Sequence, residues 1–155
     1  MHIAFHGLPS ATVSHLRQTR QDAYGNAIEQ RRAGEDGCCR HCLAATPPEQ
    51  DMLILAHRPF EGLNPYTETG PIFLCAEACA APEPGPAIPA LLASAQYLVR
   101  GYSADERIVY GTGKVVPTAD IPDYARDLLS DPAIAFVDVR SASNNCYQCR
   151  IRRAA

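Results

Sequence analysis

A continuously apolar run from Met52 to Ala56, closed by Arg58-Pro59, is the feature that most restricts how this chain can fold. Five apolar residues with no polar alternation fit a central strand buried on both faces. Gly62, Asn64-Pro65 and Gly70 then supply turn chemistry, and Pro71 to Cys75 resumes as a strand. Residues 52–75 therefore read as one wide antiparallel hairpin with a polar loop at its tip. Cys75 and Cys79 stand at its exit.

The remainder supplies strands and few helices. His2 to Leu8 alternates, with Ile3 and Phe5 facing one way, as a half-buried first strand does. Ser10 is placed to cap a short helix carrying Val13 and Leu16, and residues 17–37 read as polar helix end and loop. Four prolines make residues 80–90 a loop, with a short helix expected over Ile88 to Leu92. Gln96 to Tyr102 alternates, and Arg107 to Val116 follows as its hairpin partner across residues 103–106. Asp120 and Pro122 open the best helix pattern, with Tyr124, Ala125, Leu128 and Leu129 on its apolar side. Ala133 to Arg140 and Cys146 to Arg152 read as the last strands. The expected fold is α+β: a single domain over 1–155, a largely antiparallel sheet and two or three short helices.

Composition narrows the function classes. A formal net charge of −3 gives no general pull toward nucleic acid or an anionic membrane, and the basic cluster Arg150 to Arg153 is a solvated end. No apolar run is long enough to span a bilayer, and the N-terminus lacks the basic-then-apolar order of a signal peptide, so a cytoplasmic location is expected. In that reducing setting the seven cysteines are expected to bind metal or do redox work, and their odd number opposes a fully paired framework.

Two Cys-x-x-Cys pairs stand out, Cys39/Cys42 and Cys146/Cys149. The first follows Gly37 in a loop, where a turn brings sulfurs at i and i+3 together as zinc requires. The second falls on a strand, which would send i and i+3 to opposite faces. Cys149 would then share the face of Tyr147 and Ile151 as a buried thiol, leaving Cys146 free to point into a site. A zinc set drawn from Cys39, Cys42, Cys79 and either Cys75 or Cys146 is one expectation; thiols that merely pack in the core are its alternative. Arg40 and His41 lie between Cys39 and Cys42 and would lower a thiol pKa, which would suit a redox role for Cys39, Cys42 and His41. The long helix such a motif needs is excluded by Pro47-Pro48.

A polar set completes the candidates: His57, Arg58, Asn64, Tyr66 and Glu68 in the loop, with Arg100 and Tyr102 from a neighbouring strand. Arginine offers a planar fork for carboxylate or phosphate, and Tyr and Asn add directional hydrogen bonds. These residues could line a small-anion pocket, or could bond one another and hold the wide loop in shape.

The run Cys39 to Leu43, the segments Arg58 to Phe60, Asn64 to Tyr66 and Glu68 to Phe73, the segment Leu98 to Tyr102 and the closing Cys146 to Ile151 together resemble a bacterial family of unknown function, DUF1203. The resemblance runs in the same order over nearly the whole chain, and implies a small domain of unassigned role. Two function classes follow. One is a metal-stabilised or ligand-binding domain, with zinc as the expected ion or no cofactor at all, and a small molecule or anion as partner. The other is a thiol-based redox enzyme or sensor using Cys39 or Cys42.

Overall fold

The apolar run becomes the middle of a three-stranded antiparallel sheet in a computed structural model that describes residues 1–155. This strand, β5 (Asp51–His57), pairs with β6 (Gly70–Cys75) in continuous register from Met52↔Cys75 to His57↔Gly70. On its other side lies β2 (Glu29–Arg32), every residue of which is exposed. The sequence Glu-Gln-Arg-Arg has no apolar alternation, so residues 17–37 read as helix end and loop; backbone pairing along the exposed edge of β5 makes the strand instead.

A second, five-stranded antiparallel sheet has the order β1-β10-β9-β7-β8, formed by β1 (Ile3–His6), β7 (Gln96–Tyr102), β8 (Lys114–Pro117), β9 (Phe136–Ser141) and β10 (Tyr147–Arg153). One face carries Val99, Val137, Val139, Cys149 and Ile151 and packs against Ile121, Ala125 and Leu129 of helix α2 (Ile121–Leu129). Helix α1 (Ser10–Thr19) instead sets Val13 and Leu16 against Leu53, Leu55, Ile72 and Leu74 of the smaller sheet. A two-stranded hairpin, β3 (Cys38–Cys39) with β4 (Ala44–Ala45), completes the elements. All pairings are antiparallel, with two α-helices and a 3-10 turn at Thr118–Asp120. No helix is long and apolar enough to cross a membrane.

Several local expectations change. Ser10 makes no cap bond and is itself the first helical residue, because its hydroxyl is taken by His41. Ile88 to Leu92 forms only a turn closed by Leu92 N–H donating to the Pro89 carbonyl. The partner strand of β7 begins at Lys114, not Arg107, since residues 103–113 form a loop tied back by Thr112. A β-bulge at Gln148 matters most: Tyr147 pairs with Arg140, and Cys149 with the adjacent Val139. The extra residue turns Tyr147 and Cys149 to opposite faces. Cys149 shares the α2 face with Ile151, and Tyr147 joins the core beneath α1.

Candidate metal centre and an arginine-lined cleft

The turn from Cys39 to Cys42 follows β3 directly, and Leu43 closes it with φ 56°. That left-handed conformation costs a bulky residue on the order of 1–2 kcal/mol. Full burial of Leu43, and the bond from its N–H to the Cys39 carbonyl at 3.0 Å, hold it there. Gly7 lets the β1–α1 connection cross this turn, because a Cβ there would lie 2.6 Å from the His41 carbonyl oxygen. Arg40 N–H donates to the Phe73 carbonyl, which docks the turn on β6 near the strand end that carries Cys75. The chain then bends, with Ala76 N–H bonded to the Asp51 carbonyl, and brings Cys79 back.

The sulfurs of Cys39, Cys42, Cys75 and Cys79 consequently lie within 4.8 Å of one another. Cys39 and Cys79 are 3.8 Å apart. Four thiolates around one ion at about 2.3 Å define a tetrahedron with edges of about 3.8 Å, so the cluster is suited in geometry and donor chemistry to a metal ion. Cys146, the alternative fourth ligand, is not in this group; its thiol faces the Asn144 carbonyl instead.

The surroundings favour negative sulfur at Cys39 and oppose it at Cys42 and Cys75. The coupling between the neighbouring Cys39 and Cys42 thiols draws the Cys39 pKa down and raises that of Cys42. The backbone amides of Cys42, Cys75 and His41 help to lower the Cys39 pKa, and that of Ala44 opposes the rise at Cys42. Burial pushes Cys75 up to about 11, opposed by a hydrogen bond with the Thr46 hydroxyl at 3.1 Å. Arg17 of α1 donates to the Cys79 sulfur at 3.2 Å and grips the Cys75 carbonyl through Nε and Nη2. His41 Nδ1 lies 3.0 Å from Cys79 Sγ and its Nε2 2.9 Å from Ser10 Oγ. Desolvation lowers the pKa of this imidazole and so favours its neutral form; the charge of Cys39 opposes the effect and Arg17 adds to it. If Cys79 is a thiolate it can only accept, so Nδ1 carries the proton and Nε2 accepts from Ser10. Metal ligands are commonly oriented by such outer partners.

The polar loop residues divide. Asn64 accepts from Tyr66 N–H and donates to the Asp105 carbonyl, so it shapes the loop. Tyr66 meets the exposed Tyr110, hydroxyl to hydroxyl, at 2.6 Å, and Arg58 reaches only the Phe60 carbonyl at 3.4 Å. Glu68 behaves differently: it takes Arg100 at 3.1 Å, Arg140 at 3.4 Å and the Asn145 amide at 3.2 Å. Arg100 also donates to the Tyr102 hydroxyl at 2.9 Å.

Arg100, Tyr102, Asp138, Arg140 and Arg150 lie on the face of the larger sheet turned away from α2. Asp138 is fully buried and receives Arg150 through Nε at 2.7 Å and Nη2 at 3.0 Å. Arg140 and Arg150 were not legible as site residues. Their signal is the alternation of Phe136, Asp138 and Arg140 with Val137 and Val139, which marks a polar face under cover.

A family model described as a protein of unknown function (DUF1203) matches residues 37–153. The chain belongs to the DUF1203 family. The matched DUF1203 region contains all four clustered cysteines and the Glu68, Arg100 and Arg140 group, whereas Ser10 and Arg17 precede it. No curated protein and no solved structure matches the chain.

Proposed function

We propose that this DUF1203 protein is a metal-stabilised domain in which Cys39, Cys42, Cys75 and Cys79 hold a structural zinc ion. The observation that carries the reading is the mutual approach of four sulfurs, from segments 30 or more residues apart, within 4.8 Å. Soft thiolate donors in tetrahedral array favour zinc among common divalent ions. Four protein ligands leave no open position for water or substrate, which makes the role structural. The ion would tie the β3–β4 hairpin to the end of β6, and Arg17 and His41 would link it to α1. Arg17 would offset part of the excess charge of four thiolates around a dication.

The redox alternative finds less support. Cys39, whose pKa is lowered, has no exposed surface, and Cys42, which is partly exposed, has its pKa raised, whereas an attacking thiol needs both access and thiolate character.

Metal analysis of the purified protein tests the reading, with about one zinc per chain expected. Metal at about a thousand times its Kd stabilises by about 4 kcal/mol. A chain of this size shifts by roughly 2–4 °C per kcal/mol, so a strong chelator should lower Tm by roughly 8–16 °C. Because each ligand must lose its proton, metal affinity falls with pH, and the Tm loss caused by the chelator should shrink as pH falls. The double variant Cys39→Ser/Cys42→Ser should lose the metal and show no further chelator effect. Metal-free protein with a chelator-independent Tm, and a Cys39–Cys79 disulfide mapped after peroxide, would replace this reading with the redox one.

A further inference from the structure

Arg140 is an anomaly in a structure whose other buried polar side chains are paired. Its side chain is 4% exposed. Nη1 donates to the Asn145 carbonyl at 3.0 Å and to Glu68, yet Nε and Nη2 have no hydrogen-bond acceptor in the protein. Those two atoms form the side-on edge of the guanidinium, whose parallel N–H bonds match the two oxygens of a carboxylate. The same edge in Arg150 grips the Asp138 carboxylate, and in Arg17 it grips the Cys75 carbonyl. Leaving such donors buried without an acceptor costs more than an ordinary hydrogen bond contributes.

Arg140 lines a cavity of about 200 Å³ together with His57, Glu68, Asn145, Cys146 and Tyr147. The lining is mostly polar, unlike that of a site for a large apolar ligand. Two guanidinium groups, Arg100 and Arg140, meet the single carboxylate of Glu68, so the local balance is positive. His57, Pro59 and Tyr147 also border a second cavity of about 380 Å³, whose walls include Arg58 and Arg152.

We infer that Arg140 binds the carboxylate of a small molecule through its Nε/Nη2 edge, and that the remainder of the molecule extends past Tyr147 into the second cavity. That edge is sealed from solvent here and meets the ligand by a side-chain adjustment. The net local charge suits one negative group, since Glu68 opposes a second. Phosphate shares the fork chemistry but brings up to two charges and a bulkier tetrahedron. This site uses none of the four cysteines, so it stands whether or not zinc binds there.

The test reads the arginine Nε–Hε resonances of the full chain by proton–nitrogen NMR. The Arg140 signal is assigned by through-bond correlation from its backbone and checked by its loss in Arg140→Lys. Sodium acetate should move the Arg140 signal saturably and leave that of Arg150, already paired with Asp138, in place. Sodium chloride at matched ionic strength should move neither, and phosphate should act more weakly than acetate. In Arg140→Lys, acetate affinity read from the Asn145 side-chain amide should fall about tenfold, since an ammonium lacks the fork. If that variant does not fold, the wild-type titrations decide alone. An Arg140 signal indifferent to acetate, one that follows chloride equally, or one that prefers phosphate would each overturn the assignment.

Discussion

Replacing Asp138 with asparagine removes one charge from the centre of the larger sheet while keeping the side-chain shape. Asp138 is fully buried on β9, and its partner Arg150 on β10 has a side chain 13% exposed. Asparagine presents at most one acceptor oxygen to the Nε and Nη2 donors now 2.7 and 3.0 Å from the two carboxylate oxygens, and turns an N–H₂ toward the other. Arg150 would keep its bond to the Pro59 carbonyl at 2.8 Å and its stacking on Phe136, 3.8 Å from guanidinium carbon to ring centre. Its charge would nevertheless be largely uncompensated. Breaking a buried pair in this way costs about 3–5 kcal/mol. At roughly 2–4 °C per kcal/mol, Asp138→Asn should lower Tm by roughly 6–20 °C.

Urea unfolding followed by circular dichroism suits a protein without tryptophan. Arg150→Met should also be costly, because it strands the Asp138 carboxylate and frees the Pro59 carbonyl. If the two side chains act as a pair, the double variant should be less damaging than the summed single variants by about 1–3 kcal/mol. Additivity within about 0.5 kcal/mol would refute the reasoning, as would an Asp138→Asn loss below about 1 kcal/mol.

Two further outcomes are expected. Native alkylation should label Cys146 readily and Cys149 only on unfolding, since Cys149 is fully buried and burial raises its pKa; Cys149→Val should change packing alone, at about 1 kcal/mol, with metal content intact. His57, at the end of β5 beside Arg58, Glu68, Arg140 and Tyr147, is lowered to about 4 by burial first and Arg58 second, so the unfolded chain takes up its proton first. Stability should therefore fall as pH drops from about 6.5 to about 4, by at most about 3 kcal/mol, and His57→Gln should flatten that part of the curve relative to wild type; parallel curves would contradict it.

The sequence shows strands wherever burial writes a pattern. Met52 to Ala56, Gln96 to Tyr102 and the Pro122-led helix each carry their own apolar period and their own stop, and the structure has an element at each. What stays hidden is whatever depends on a partner distant in sequence. β2 exists because β5 has an unpaired edge, and nothing in Glu29 to Arg32 says so. The bulge at Gln148 reverses a side-chain face without any glycine or proline to mark it. Ser10 had the right chemistry for a cap, but its competitor His41 lies 31 residues away. Among the cysteines, the Cys39-to-Cys42 turn was readable locally. The choice of Cys75 over Cys146 as fourth member was fixed by the hairpin register and by the bend after β6, both tertiary facts.

Arg40 shows why the cysteine turn and the cleft should not be treated as separate pieces. It lies between Cys39 and Cys42, is almost fully buried, and its Nη1 donates to the Cys38 carbonyl at 2.7 Å. Its Nε donates to the Tyr147 carbonyl at 2.8 Å, and its guanidinium lies over Phe73 at 5.6 Å. Burial lowers its pKa, and the nearby thiols oppose that effect. One charged side chain therefore fixes the start of β10 to the turn that holds two of the four sulfurs. Tyr147 borders both cavities and pairs across the strand with Arg140. Whatever holds the cysteine turn and the left-handed Leu43 that closes it thus also sets where Tyr147 leaves the bulge, and with it the wall of the cleft beside Arg140.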